Sequence, residues 1–516
     1  MNALQIRDVV AAVFVSLMLV FMSVELQGRV GLGLDDEGFL WYGVQKLIEG
    51  DVPLRDFQSY DPGRYLWGGL SGSVFGEGIL GLRAGVAVFQ FLGLACGLFV
   101  LCRMTSSIPA IFAAALLLLL WMFPRHKLFE PSIAMGAVFF GTLLLKSPTI
   151  VRHLLAGIFV GIAAFFGRNH GLYCLAGLGG MAFFLFLRNG FNASKGRILS
   201  LGLGILLGLL PFAAMMYLFP GFGAALAESL SFHFATGSVN LSLPVPWPWL
   251  VDLTGIKEGV TFRLLAHGIL LVGIPIFYFA VLLKGFVSKG TDMGRMAPLV
   301  SSAFVGIPYL HHAFARADLS HLAQAIHPFL IGVLCLPVFA KGRLSKLASY
   351  LALAVVAVLT LGSAVTVSPA YEKWISKPEP YLRIKVQGDD LWVPRATADL
   401  VNGLFSMERR YFSQGGEVMA APHLPGAYAL LGRKAPVWQI YFFFPETEER
   451  QKDMMLDMDR KGVRWLILGS GTLDGREDLR FRNTHPLVWR HIMDAFEPVP
   501  GETLPGGYQL FRRRVL

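Results

Sequence analysis

Apolar residues in this chain run in long blocks broken by short polar turns, rather than in the one-sided stripes of soluble amphipathic helices. A helix that crosses a bilayer needs about 20 mostly apolar residues. On that measure the pattern predicts eleven spans, at about 8–27, 80–102, 107–123, 132–147, 153–167, 171–187, 198–219, 263–283, 296–312, 322–340 and 347–368. The shorter blocks suit tilted or partly re-entrant segments. The first block, Val9 to Met22, follows Arg7 in the manner of a signal peptide. No small-residue cleavage site follows it, so it reads as a helix.

Beyond about residue 370 the pattern changes. An amphipathic helix is predicted across 392–412. Short strands are predicted at Glu417–Ala421, Val463–Leu468 and Tyr508–Arg512, with a helix at 446–461 between the first two. That alternation points to a small α/β layer domain. The expected fold class is therefore a polytopic α-helical membrane protein of about eleven spans (residues 1–371, with a first extracytoplasmic loop at 28–79) and a small C-terminal extracytoplasmic α/β domain (372–516).

Composition agrees. Of 516 residues, 54% are hydrophobic and only 16% charged, against about 25% charged in soluble proteins. A net charge of +10 raises the question of a nucleic-acid partner, but the placement of the charge argues against one. With the N-terminus in the cytoplasm, the cytoplasmic ends of the spans hold 13 basic residues, Arg103, Lys146 and Arg188 among them, against two acidic ones, Asp8 and Asp292. The other side of residues 1–371 holds 11 basic and 14 acidic residues. This is the asymmetry that orients membrane proteins. An odd number of spans then puts the C-terminal region outside, which in a Gram-negative cell is the periplasmic face of the inner membrane. The four cysteines lie in or beside apolar blocks without a CxxC pair and read as small hydrophobes.

Four polar clusters fall on that outer side, and ionisable residues beside membrane spans call for a reason. The first is Asp35-Asp36-Glu37. It reads either as a base or ligand-binding group or as the N-terminal cap of the helix that follows. That helix, from Phe39 to Ile48, has apolar residues at helical spacing and could lie flat at the interface. The second is Arg125, His126, Lys127 and Glu130, which taken alone is an ordinary solvated loop. The third is Arg168-Asn169-His170, in a turn with almost no loop, where Arg168 could snorkel. The fourth is His311, His312, Arg316, Asp318 and His321. Its spacing is poor for tetrahedral zinc. An arginine with flanking histidines suits a phosphate better. A carboxylate base beside cations could deprotonate an incoming hydroxyl while the cations stabilise a phosphate leaving group.

The segment DEGFLWYGVQKLIEGDVPLRDFQSYDPG resembles the first-loop signature of the GT-C superfamily of membrane glycosyltransferases, in the branch that includes protein O-mannosyltransferases and lipid A aminoarabinose transferases. The matching residues are Asp36-Glu37, then Pro53, Arg55, Asp56, Phe57, Pro62 and Gly63. The segments 428–436, 463–469 and 507–514 are similar to that group's tail domain. The resemblance implies a GT-C-like fold, a polyprenyl-phosphate-linked sugar donor and inverting transfer to a lipid-, polymer- or protein-linked acceptor. It implies Asp36 as catalytic base, supported by Glu37 or Asp35. Arg168, His170, Arg316 and His321 would hold the donor phosphate. Arg55, Asp56, Tyr60, Arg64, His126, Glu130 and Asp318 would contact substrate. It implies no metal, although the acidic triplet could take a divalent ion. The stretch around His311 to His321 has no secure counterpart in the better-known enzymes.

The other reading is a transporter or flippase of a lipid-linked sugar. Transporters place ionisable residues near the bilayer midplane and often carry inverted repeats. Here those residues sit at span ends, and no repeat is apparent.

Overall fold

The structure, a computed structural model, describes residues 3–236, 241–255, 259–288, 292–377 and 379–514. Ahead of the C-terminal region the helices are α1 (Ala3–Gln27), α2 (Asp36–Ile48), α3 (Pro62–Phe75), α4 (Ile79–Cys102), α5 (Ile108–Leu120), α6 (Phe129–Lys146), α7 (Ile150–Phe166) and α8 (Arg168–Asn189). They continue with α9 (Phe191–Gly208), α10 (Leu210–Leu218), α11 (Phe222–Thr236), α12 (Gly259–Val287), α13 (Asp292–Ala315), α14 (Leu319–Ala325), α15 (His327–Phe339) and α16 (Arg343–Gly362). Every segment expected to span is helical, because in hydrocarbon the backbone must satisfy its own hydrogen bonds. Among the described residues, seven helical stretches are long and apolar enough to cross a membrane, or eight if the α14–α15 pair, bent by 59°, counts as one broken span. The count falls below eleven because α5 and α7 are short and α13, which includes Ser301, Ser302, His311 and His312, is not apolar enough along its length.

The chain divides into two compact units, each assembled from separated segments. The first comprises Met1–Gln27, Ala84–Leu218 and Ser238–Ile375; the second comprises Gly28–Arg83, Phe219–Gly237 and Ser376–Leu516. The expected first loop thus groups with the C-terminal region rather than with the spans that flank it in sequence.

Within the first unit, α7 and α9 meet along glycines. A Cβ on Gly157 would lie 2.2 Å from the Leu201 carbonyl oxygen, and one on Gly161 would lie 2.5 Å from the Gly208 carbonyl carbon. From the other side, a Cβ on Gly204 would lie 2.2 Å from the Leu154 carbonyl oxygen. The spacing Gly157–Gly161 and Gly204–Gly208 is the small-xxx-small pattern that lets membrane helices approach backbone to backbone. Polar side chains in the bundle bond to main chain: Ser301 Oγ donates to the Val138 carbonyl at 2.9 Å, and Thr360 Oγ1 donates to that of Val356 at 2.7 Å.

The second unit is built around α2. Glu37 through Val44 and Lys46 are buried, so this helix is a core element and not the flat interfacial helix its spacing suggested. The buried Lys46 ammonium finds Glu49 at 2.5 Å. At Gly38 the backbone of helix Gly426–Leu431 comes so close that a Cβ would stand 2.5 Å from the Gly426 Cα. Strands β1 (Tyr381–Val386) and β2 (Asp389–Pro394) form a hairpin whose two turn residues, Gln387 and Gly388, take positive φ. Trp392 of β2 exchanges backbone hydrogen bonds with Arg29 and Gly31, both 2.8 Å. Next come β3 (Glu417–Ala421), β4 (Val463–Gly469), β5 (Phe496–Leu504) and β6 (Tyr508–Arg513), in the sheet order β3-β4-β6-β5. β3 and β4 are parallel, which requires a crossover. Helix Glu448–Arg460 lies in that connection and buries Met454 and Met458 with Met419, Leu466 and Leu468. The strands anticipated from sequence are present, and the helix expected across 392–412 spans Arg395–Arg410. The hairpin, β5 and α11 were not anticipated.

Overpacking a filled contact costs about 1–3 kcal/mol. Gly161→Val is therefore expected to lower the thermal unfolding midpoint in detergent. Gly202→Ala on the same α9 should leave it unchanged, because a Cβ there meets nothing within 4 Å. Equal midpoints for both variants would remove the glycine seam as a stabilising contact.

Candidate active site

The acidic triplet sits where the chain enters α2, and its three members do different things. Glu37 is consumed by Arg83: Nε donates to Oε1 at 2.8 Å and Nη2 to Oε2 at 2.7 Å. The same guanidinium donates to the carbonyls of Gly28 and Gly31, both at 2.8 Å. Asp35 stands at the N-cap position but makes no capping hydrogen bond, so the capping reading of the triplet does not describe it. Its side chain meets solvent within crowded surroundings. Desolvation by its neighbours, then the charge of Asp36, push its pKa up to about 6. Solvent access weakens the first contribution, and the upward direction stands on both together.

Asp36 begins α2 and faces aromatic residues of the same unit. Tyr441 packs on Phe39, one turn further along α2, with ring centroids 5.7 Å apart. Burial, with the charges of Asp36 and Asp35, drives that phenol well above its ordinary pKa. His423 lies against Tyr441, ring centroids 5.4 Å apart; burial lowers its pKa while Asp36 opposes the shift. Tyr60 meets Phe39 edge-on at 4.8 Å, and the buried Arg64 guanidinium stacks 5.0 Å over the Tyr60 ring. Arg55 and Asp56 bond each other at 2.8 and 2.9 Å. Asp56 also accepts from Val52 N, and Arg55 donates to the Pro220 carbonyl, so both brace the loop.

The first unit brings together the other three clusters. Glu130, in the first turn of α6, is buried, with Oε1 4.0 Å from His170 Nε2. His170 Nδ1 is 3.3 Å from the Tyr309 hydroxyl, and its ring lies 5.4 Å from that of His312. His312 in turn lies 5.1 Å from His321 and is 3.1 Å from Gln324. Asp318 caps α14, accepting from His321 N at 2.8 Å and contacting its Nδ1 at 2.9 Å. Arg316 Nε donates to the other Asp318 oxygen at 2.7 Å, and Nη1 donates to the Leu241 carbonyl. Burial raises the Asp318 pKa, but His321 and Arg316 outweigh it and hold the carboxyl at about 2. Arg168 starts α8 and is half-buried; His126 is half-buried in the turn that holds Arg125 and Lys127. Arg125 donates to the Gln27 carbonyl at 3.2 Å.

Among the described residues no group of three or more His, Cys, Asp and Glu is arranged to hold a metal ion. The four cysteines are free thiols.

Sequence reasoning missed Arg83, Tyr441, His423 and Tyr309 as neighbours of the chemistry, while His312 stood in the fourth cluster. Arg83 carried a usable signal, a lone guanidinium inside an apolar block. Tyr441 carried none, since it stands in the aromatic run Tyr441–Phe444.

Helices long and apolar enough to cross a membrane, a buried α2 led by acids and a small C-terminal sheet make up a polytopic α-helical membrane-protein fold. The fold is similar to that of the crystal structure of ArnT from Cupriavidus metallidurans bound to undecaprenyl phosphate: TM-score 0.55 at 13% identity, over 98% of this chain and 97% of that one. The apo form of that protein scores 0.49 at 12% identity over the same shares. An oligosaccharyltransferase from Archaeoglobus fulgidus scores 0.46 at 13% identity, over 90% of this chain and 69% of that one. At such identities the likeness is one of fold. No protein-family model and no curated protein sequence matches the chain.

The raised pKa of Asp35 sets a sign. Its folded value lies above the ordinary 3.8, so its favourable contribution is complete below pH 3.8 and is lost as pH rises through about 6. Asp35→Asn is expected to raise the unfolding midpoint at pH 8 and to leave it unchanged at pH 4. A gain that does not depend on pH would contradict this reading.

Proposed function

We propose that this protein is a glycosyltransferase that moves a sugar, a hexose or a pentose, from a polyprenyl-phosphate-linked donor to an extracytoplasmic acceptor with inversion at the anomeric carbon. The observation that carries the proposal is the split within the acidic triplet. Glu37 is tied to Arg83, and of the two aspartates we assign the chemistry to Asp36, the first residue of α2. Asp36 takes the proton of the acceptor hydroxyl, and the oxygen attacks the anomeric carbon. The bond to the donor phosphate breaks, and polyprenyl phosphate leaves. Arg168, His170, Arg316 and His321 stabilise the charge that develops on that phosphate. Asp318 orients Arg316 and His321. Arg55, Asp56, Tyr60, Arg64, His126 and Glu130 shape the substrate contacts, and no metal is required. The asymmetry of basic residues supports a cytoplasmic N-terminus and a C-terminal region on the outer face of the plasma membrane, the inner membrane of a Gram-negative cell.

The test is transfer by the purified protein in detergent from a panel of polyprenyl-phosphate sugars. Asp36→Asn is expected to lower the rate at least 100-fold, within the range a general base supplies, while the unfolding midpoint holds. Donor binding without turnover, unaffected by the substitution, would replace the transferase with the carrier reading. Arg316→Ala is expected to weaken donor binding about tenfold, as loss of a charge-assisted contact would; unchanged donor affinity would end its assignment to the phosphate.

A further inference from the structure

We infer that Tyr441, supplied by the C-terminal region, is the positioning residue of the Asp36 carboxylate. This rests on the reading of Asp36 as the base. Tyr441 is only 5% exposed, and its place is set by bonds on every side. The Gln58 carboxamide oxygen accepts from two successive backbone donors, Ile440 N at 3.0 Å and Tyr441 N at 2.9 Å. Gln58 N donates to the Trp438 carbonyl at 2.9 Å, and Trp438 Nε1 donates to the Leu54 carbonyl at 3.0 Å. Phe442 N donates to the Pro422 carbonyl at 3.1 Å. The segment therefore cannot slide along the first loop without breaking several hydrogen bonds at once.

The ring is fixed as firmly. It packs on Phe39 at 5.7 Å, on His423 at 5.4 Å and on Phe443 at 3.8 Å between centroids. Phe39 is three residues past Asp36 on α2, and residues three apart share a helix face. Helical side chains also lean toward the N-terminus. A ring seated on Phe39 therefore carries its hydroxyl toward the Asp36 side chain, whose charge is felt at the phenol.

The chemistry that follows is one of orientation. A carboxylate on a two-bond stem samples several rotamers, and only some present a lone pair to the incoming hydroxyl. The Tyr441 hydroxyl occupies one lone pair and leaves the others for the acceptor proton. Burial and the two aspartates keep the phenol protonated, so it acts as a fixed donor and takes no proton itself. The contact holds before and after Asp36 is protonated, and its value lies in the conformations it removes.

The experiment uses the full chain with the donor and acceptor that support transfer, and compares wild type, Tyr441→Phe, Asp36→Asn and the double variant. Tyr441→Phe keeps the ring contacts and is expected to lower kcat at least tenfold, with both KM values within about twofold and an unchanged unfolding midpoint. In the Asp36→Asn background the same change is expected to leave the residual rate unaltered, because a residue acting through Asp36 has nothing left to act on. Gln58→Leu, which removes the acceptor of both N–H groups, should reproduce part of the kcat loss. A fully active Tyr441→Phe beside an inactive Asp36→Asn would overturn the positioning role and leave the base intact. An equal further loss in the double variant would make Tyr441 independent of Asp36 and overturn it too. A fully active Asp36→Asn would instead bring down the base assignment itself.

Discussion

The second unit depends on one buried ion pair. Arg83 and Glu37 are 6% and 7% exposed, and the guanidinium spends its remaining donors on the carbonyls of Gly28 and Gly31. Taking two charges out of water is worthwhile only with this degree of satisfaction. Removing one partner of such a pair typically costs about 3–5 kcal/mol, since the other is left buried and uncompensated. A single side chain therefore sets both the path of the chain into α2 and the rotation of the helix tip. The direction in which Asp35 and Asp36 point follows from that clamp.

Around it, the unit relies on close approach and on side chains that replace missing backbone partners. Gly38 and Gly426 let two helices touch at the main chain. The Tyr42 hydroxyl accepts from Ala435 N at 3.0 Å, and Gln58 serves two further amides. These contacts join residues nearly 400 positions apart, and they are also what brings aromatic side chains of the tail to the acids. In the first unit the polar side chains form a different arrangement, a run of rings and carboxylates from Glu130 through His170, His312 and His321 to Asp318. There the Arg316–Asp318 bond decides which way the guanidinium faces.

The membrane character and the strands of the tail could be read from sequence because each has a local cause. A long apolar block must be helical in lipid, and a β-rich run such as Val463–Leu468 seeks a sheet. The link between Glu130 and His170 was partly legible as two polar breaks in neighbouring blocks. The role of Glu37 was not, because its partner Arg83 is 46 residues away and reads in isolation as an orientation signal. The burial of α2 was not legible either. Its apolar spacing fits lipid as well as protein, and only Gly38, Gly43 and the distant helix Gly426–Leu431 decide between them. Tyr441 was invisible for the same reason, since its position depends on hydrogen bonds to the first loop and not on its own neighbours in sequence.

That the second unit draws on Gly28–Arg83, Phe219–Gly237 and Ser376–Leu516 bears on how the protein is made. Its first piece leaves the ribosome early and its last piece late, with most of the membrane helices synthesised in between. Throughout that interval α2 has neither the Gly426 backbone nor the Gln58-bound segment to pack on, and its apolar face has to wait. Such late closure of distant contacts is slow compared with local helix formation. The acids at the helix tip therefore acquire their surroundings only after the segments around Gly426 and Tyr441 have been made.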